Sequence, residues 1–212
     1  MKLFFSVVLL LIQSDSFTKF TYCKEFSRGL YELHCVDLDP AGKGIVRFKR
    51  RGADEIKVPV ALSDSARDRF VAQVVATNNL DGAESYEAPR KVADLGKKHF
   101  TLETRSGKRE AEFNFSLRKE VNDLMNFFDG VIHEEMVGFD IDNALQFDRL
   151  SIPKKLDAID NDLKSNRFAD PERLIPILDK IQSDQRVMNY ARERAVKMKQ
   201  QITSGKKAGL LY

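Results

Sequence analysis

The chain has 212 residues, of which 42% are hydrophobic and 32% charged. That balance belongs to a globular protein and excludes a disordered one. The formal net charge is +3, too small to imply a nucleic-acid partner.

The chain opens MKLFFSVVLLLIQSDSF. Lys2 precedes an apolar block from Leu3 to Ile12 interrupted by Ser6, and Ser14 and Ser16 lie three residues and one residue before Phe17. This order is that of a secretory signal peptide over residues 1–16, cut ahead of Phe17. The other reading is an uncut membrane anchor, but crossing the hydrocarbon takes ~20 apolar residues, about twice what the block offers. Removing residues 1–16 takes away one Lys and one Asp and leaves +3. No second apolar run follows. The mature chain is therefore expected to be secreted or periplasmic, with no stable membrane insertion.

Residues 17 to 117 read as an α+β domain, and residues 18 to 61 as its strands. GIVRFKRR puts Val46 and Phe48 on one face; DEIKVPVAL puts Ile56, Val58 and Val60 on one face and Glu55, Lys57 and Pro59 on the other. Pro59 cannot donate to a ladder, which predicts an edge strand. DPAGKG, residues 39 to 44, supplies a turn between two strands. It lacks the Gly-Lys-Ser/Thr ending of a phosphate loop. RFKRRG, residues 47 to 52, reads as a solvated strand end. Ser63 caps a helix to about residue 78, with Phe70, Val71, Val74 and Val75 on its buried side. Residues 80 to 98 are irregular, and a connection that long is often functional or mobile. HFTLETRSGKREAEFNFS is a hairpin turning at Ser106 and Gly107. Its Asn114-Phe115-Ser116 matches a glycosylation acceptor, but lies in strand.

From Arg118 the period becomes 3.6. Val121, Leu124, Met125, Phe128, Ile132, Met136 and Phe139 stripe a long helix, and Val121, Leu124, Phe128 and Ile132 are expected to join the two halves of the chain. Ser151 caps a helix carrying Ile152, Leu156, Ile159 and Leu163. Asp170-Pro171-Glu172 starts another, with Pro176 bending it. The last carries Met188, Ala191, Ala195, Met198 and Ile202. Residues 118 to 204 are thus a helical region and 205 to 212 a frayed tail. The fold class is α+β: an antiparallel β-sheet with one packed helix, then a long helix and a C-terminal helical hairpin region.

In this order YCKEF, LGKKHF, FNFS and LQFDRLSI resemble a family of bacterial secreted proteins of unknown function. The resemblance implies export and this fold, and Cys23 and Cys35 lie outside its pattern. The order of strands and helices over residues 18 to 132 is also similar to that of emfourin-type inhibitors of thermolysin-like proteases.

Catalytic chemistry finds little footing. IHEEM, residues 132 to 136, begins like a zincin helix, but the second ligand would stand at position 137, which is Val137. His133 then reads as a solvent-facing helix residue. His34 and Cys35 are adjacent in a strand and face opposite sides, which disfavours a thiolate–imidazole pair. Asp37 with Asp39, and Asp140 with Asp142, could each share a face, yet neither pair sits in a calcium loop. No catalytic, cofactor-binding or metal residue is therefore assigned, and no cofactor is expected.

The sharpest site is the pair Cys23 and Cys35. They are symmetric about Gly29, so a hairpin turning there sets them opposite each other, within the reach of a disulfide. A register slip of one residue would instead leave two separate thiols, and a metal pair lacks further ligands. The leading function is an exported, non-catalytic module that binds another macromolecule, an unidentified protein and not a nucleic acid, with the 80–98 connection as its exposed loop. The alternatives are a secreted protease inhibitor and a hydrolase with an unrecognised site.

Overall fold

The computed structural model describes residues 17–89 and 92–208. The leader expected over residues 1–16 and the last four residues of the tail lie outside them. Strict alternation of apolar and polar residues builds the sheet. Strands β1 (Lys19–Glu25), β2 (Tyr31–Leu38), β3 (Lys43–Arg50) and β4 (Glu55–Ala61) form an antiparallel meander. Helix α1 (Asp64–Ala76) follows, and β5 (Lys97–Glu103) with β6 (Lys108–Phe113) returns beside β1. The order across the six-stranded sheet is β4-β3-β2-β1-β5-β6. Pro59 falls on the edge strand β4, as its missing donor requires.

One face of the sheet is aromatic and dry. Phe20, Tyr22, Val36, Leu38, Val46, Phe48, Phe100 and Leu102 are all buried there. Helix α2 (Lys119–Phe147) crosses this face, and Phe128 stacks on Phe20 and Tyr22 at 5.2 and 5.5 Å. Helix α1 closes one side, with Phe70 against Phe127 at 6.1 Å. The opposite face carries cross-strand ion pairs, among them Arg47–Asp37 at 3.1 Å and Lys97–Glu112 at 2.6 Å.

Beyond Phe139, which still meets Phe48 at 5.7 Å, the same helix enters a second core. Ile141, Ala144 and Leu145 pack with α3 (Ile152–Lys164), α4 (Ile175–Ser183) and α5 (Asn189–Ala208). The stripe Val121, Leu124, Phe128 and Ile132 lies in the sheet core, so the helical region that begins at residue 118 packs on the first half through it, as expected. Helix α2 then runs on into the second core, and the Asp170–Ser63 bonds tie the two halves as well. Among the described residues no helix is long and apolar enough to cross a membrane.

Several local expectations are corrected. Val75 is 59% exposed, because Ala66, Phe70 and Val74, spaced four apart, set the buried line of α1. Met188 is likewise exposed, since α5 begins one residue later and Val187 fills the core instead. Ser151 makes no side-chain cap; its hydroxyl donates to the Asp148 carbonyl at 2.8 Å. Pro176 sits in the first turn of α4, after a 3-10 turn at Pro171–Leu174, where its missing donor bends nothing. Residues 205 to 208 continue α5 rather than fraying.

The described parts of the 80–98 connection, residues 80–89 and 92–98, are anchored. Leu80, Tyr86 and Ala88 are buried, and the Tyr86 hydroxyl donates to the Thr77 carbonyl at 3.0 Å. Asn114, just past β6, accepts from Leu95 N–H and donates to the Ala93 carbonyl, both at 2.9 Å. Its amide is thus taken up in holding the connection. Lys98, 4% exposed, donates to the Gly96 carbonyl at 2.8 Å and to that of Asn114.

Candidate functional site

The segment between α3 and α4 passes directly under α2. A Cβ on Gly130 would lie 2.8 Å from Ala169 N and 3.1 Å from the Arg167 carbonyl. Glycine is what lets the backbones approach this closely. Gly130→Ala gains helix propensity of ~1 kcal/mol, but overpacking against a backbone costs ~1–3 kcal/mol. A net loss of stability is expected in a urea titration; a gain would mean the 167–169 segment yields freely.

Two buried carboxylates meet at this crossing. Glu134 and Asp170 are each 2% exposed. Glu134 accepts a short hydrogen bond from Asp170 N–H. Asp170 in turn reaches the start of α1, accepting from Ser63 N–H at 2.6 Å and from the Ser63 hydroxyl at 2.8 Å. That hydroxyl accepts from Ala66 N–H at 3.3 Å, completing the helix cap. Asp170 stands at the cap position of the helix it precedes but makes no side-chain bond there; it serves the N-terminus of α1 instead, 107 residues away in sequence. Arg173 pairs with Glu135, and Arg69 donates to the Ala169 carbonyl.

Burial sets the ionisation here. It pushes Glu134 up to about 8, only partly opposed by the Asp170 N–H and by Arg173. Burial also raises Asp170, against the two Ser63 bonds, and lowers Arg173. Between 4.5, its ordinary value, and about 8, native Glu134 keeps a proton that the unfolded chain has released. Its stabilisation is therefore full below the unfolded value and lost as pH rises through the folded one. Relative to Glu134→Gln, stability should fall from about pH 5 to 8 with a slope of at most ~1.4 kcal/mol per unit. Urea midpoints for both proteins across that range measure it, and parallel curves would show an ionised Glu134.

Beside the crossing opens a cleft of about 830 Å³ between the start of α1, α3 and the end of α5. Leu163, Pro171 and Ile202 supply its apolar wall, with Arg69, Lys164 and Gln201 but also Asp160 and Glu172 around them. A second cleft, of about 380 Å³, lies over Asp129, Gly130, His133 and Arg167. Of its lining residues, Asp129 belongs to a polar cluster: Tyr22 donates to it at 2.9 Å, and Lys24 lies 3.4 Å from the same carboxylate. Burial and the neighbouring Asp129 raise the Tyr22 phenol well above its usual range.

The residues singled out in the sequence are dispersed. Cys23 stands directly opposite Cys35 in the β1–β2 register and their sulfurs are bonded, on the sheet face away from the aromatic core. His34 points to the other face, between Phe26 and Tyr31, where burial lowers it to about 4 and keeps it neutral. His133 is half-buried rather than solvent-facing: its ring stacks on Phe168, and Nε2 lies 2.8 Å from Asp162. The aspartate pairs separate, Asp37 to Arg47, Asp39 to Lys43 N–H, Asp140 to Arg50 and Asp142 to Lys180. The basic run is paired as well, Lys49 with Glu32 at 2.9 Å and Arg50 with Asp140 at 3.2 Å. Glu134 went unnoticed in the sequence, although it lies three residues after Val131 and seven after Phe127, on a second apolar line of α2. No protein-family model matches the chain, and no curated protein matches it.

Proposed function

We propose that this chain is an exported, non-catalytic module that binds a protein partner through the cleft between α1, α3 and α5. The observation that carries the reading is the cleft itself. It has the volume of a binding site, an apolar wall and a polar rim of mixed charge, on elements fixed by two packed cores. Export is supported by the bonded cysteines, which persist in oxidising compartments. The Phe17 ring, 5.6 Å from Phe70, gives a cut just before it a structured new terminus.

Affinity capture from the exporting cell, run beside a Leu163→Arg, Gln201→Arg variant, tests the site. The partner should be retained by the native chain and lost by the variant. Equal retention would defeat the cleft as the site. Export is tested on the same material: sequencing should begin near Phe17, and an intact Met1 on membrane-bound protein would defeat it. The second reading, an inhibitor of thermolysin-like proteases, draws support from four strands, a helix, two strands and a helix following in that order from β1 to α2. Undiminished thermolysin activity in the presence of excess protein would dispose of it.

A further inference from the structure

At the end of the helical region far from the sheet, two turns lie side by side. One joins α2 to α3, the other α4 to α5, and Arg149 of the first is 3.4 Å from Asp184 of the second. Arg186 closes on the same carboxylate at 2.8 Å. These two turns and the start of α5 expose four large apolar side chains: Phe147 is 81% exposed, Leu150 75%, Tyr190 56% and Met188 40%. Single exposed apolar residues need no explanation, but a group of them at one end of a molecule marks an interaction surface. None belongs to either core, whose adjacent places are filled by Leu145, Ile152 and Val187.

The charge around them identifies the surface they fit. Residues 146 to 155 and 182 to 192 hold five cations, Arg149, Lys154, Lys155, Arg186 and Arg192, against two carboxylates, Asp148 and Asp184. The local balance is +3, equal to that of the whole chain. A tip with two aromatics, a leucine and a methionine, ringed by Arg and Lys, matches the boundary of an anionic bilayer. Apolar side chains enter the acyl edge there, and the cations remain among the headgroups. We infer that the tip formed by the α2–α3 and α4–α5 turns docks this protein peripherally on an anionic lipid surface. Docking of this kind inserts no helix, and it leaves the cleft, at the opposite end of α3 and α5, facing away from the lipid.

Vesicle co-sedimentation with the purified chain tests this, with phosphatidylcholine alone or with about 30 mol % phosphatidylglycerol. Binding should require the anionic lipid and weaken as salt rises from about 0.05 to 0.5 M. Phe147→Ser with Leu150→Ser should weaken it roughly tenfold or more. Both side chains are exposed, so the thermal melt of the variant should match the native chain and exclude misfolding as the cause. Equal binding to both vesicles, no binding to either, or binding indifferent to the double variant would overturn the inference. So would a dimer that the variant dissolves, seen by sedimentation equilibrium without vesicle binding; the tip would then be covered by a second copy. Leu163→Arg should leave vesicle binding intact, so loss of the partner and loss of the lipid are separable results.

Discussion

Phe128→Ala is expected to lower the unfolding free energy by ~3–5 kcal/mol, the range for removing a buried aromatic ring. The ring is fully buried and meets Phe20, Tyr22, Phe70, Phe100 and Phe127, all within 6.3 Å between centroids. No neighbour is positioned to collapse into the space, because β1, β5, α1 and α2 each fix one or more of these rings. The cavity term therefore adds to the transfer term, and Phe128→Leu, which keeps much of the volume, should cost less. Urea titration with an unchanged m-value measures the difference. A loss below about 1 kcal/mol would mean the helix does not seat on the sheet through this ring.

The second large effect concerns Cys23 and Cys35. Their bond closes a loop of about a dozen residues, and loop-closure entropy assigns such a cross-link ~3 kcal/mol. Cys23→Ala with Cys35→Ala should lose about that much stability. The cysteines pair on central strands, so the sheet register is held independently by the aromatic face and the fold should survive. Reduction under denaturing conditions should add about 2 Da to the intact mass, two hydrogens for one bond. Alkylation of two thiols without reduction would show that the bond is absent.

The sheet was legible because its strands alternate cleanly, and because Pro59, Gly42 and Gly107 punctuate them. The first line of α2 was legible for the same kind of reason: Val121, Leu124, Phe128 and Ile132 repeat with helical period. The second line, Phe127, Val131 and Glu134, was hidden because α2 is buried on more than one side, and an amphipathic template admits one face. Asp170 reads as a cap for the helix it precedes, and only the folded chain brings it to Ser63. The cleft has no sequence signature at all. Its lining is drawn from α1, α3, α5 and the segment between α3 and α4, and their mutual placement is what creates it.

Helix α2 gives the molecule a property that neither core has alone. Its 29 residues rise by ~1.5 Å each, making a strut of roughly 44 Å. Phe128 is bolted into the sheet near one end, Ile141 and Leu145 into the helical core near the other. The bodies are thus coupled by an unbroken hydrogen-bonded rod and not by a linker, so a push on the Phe147 end reaches the sheet as a displacement instead of being absorbed at a hinge.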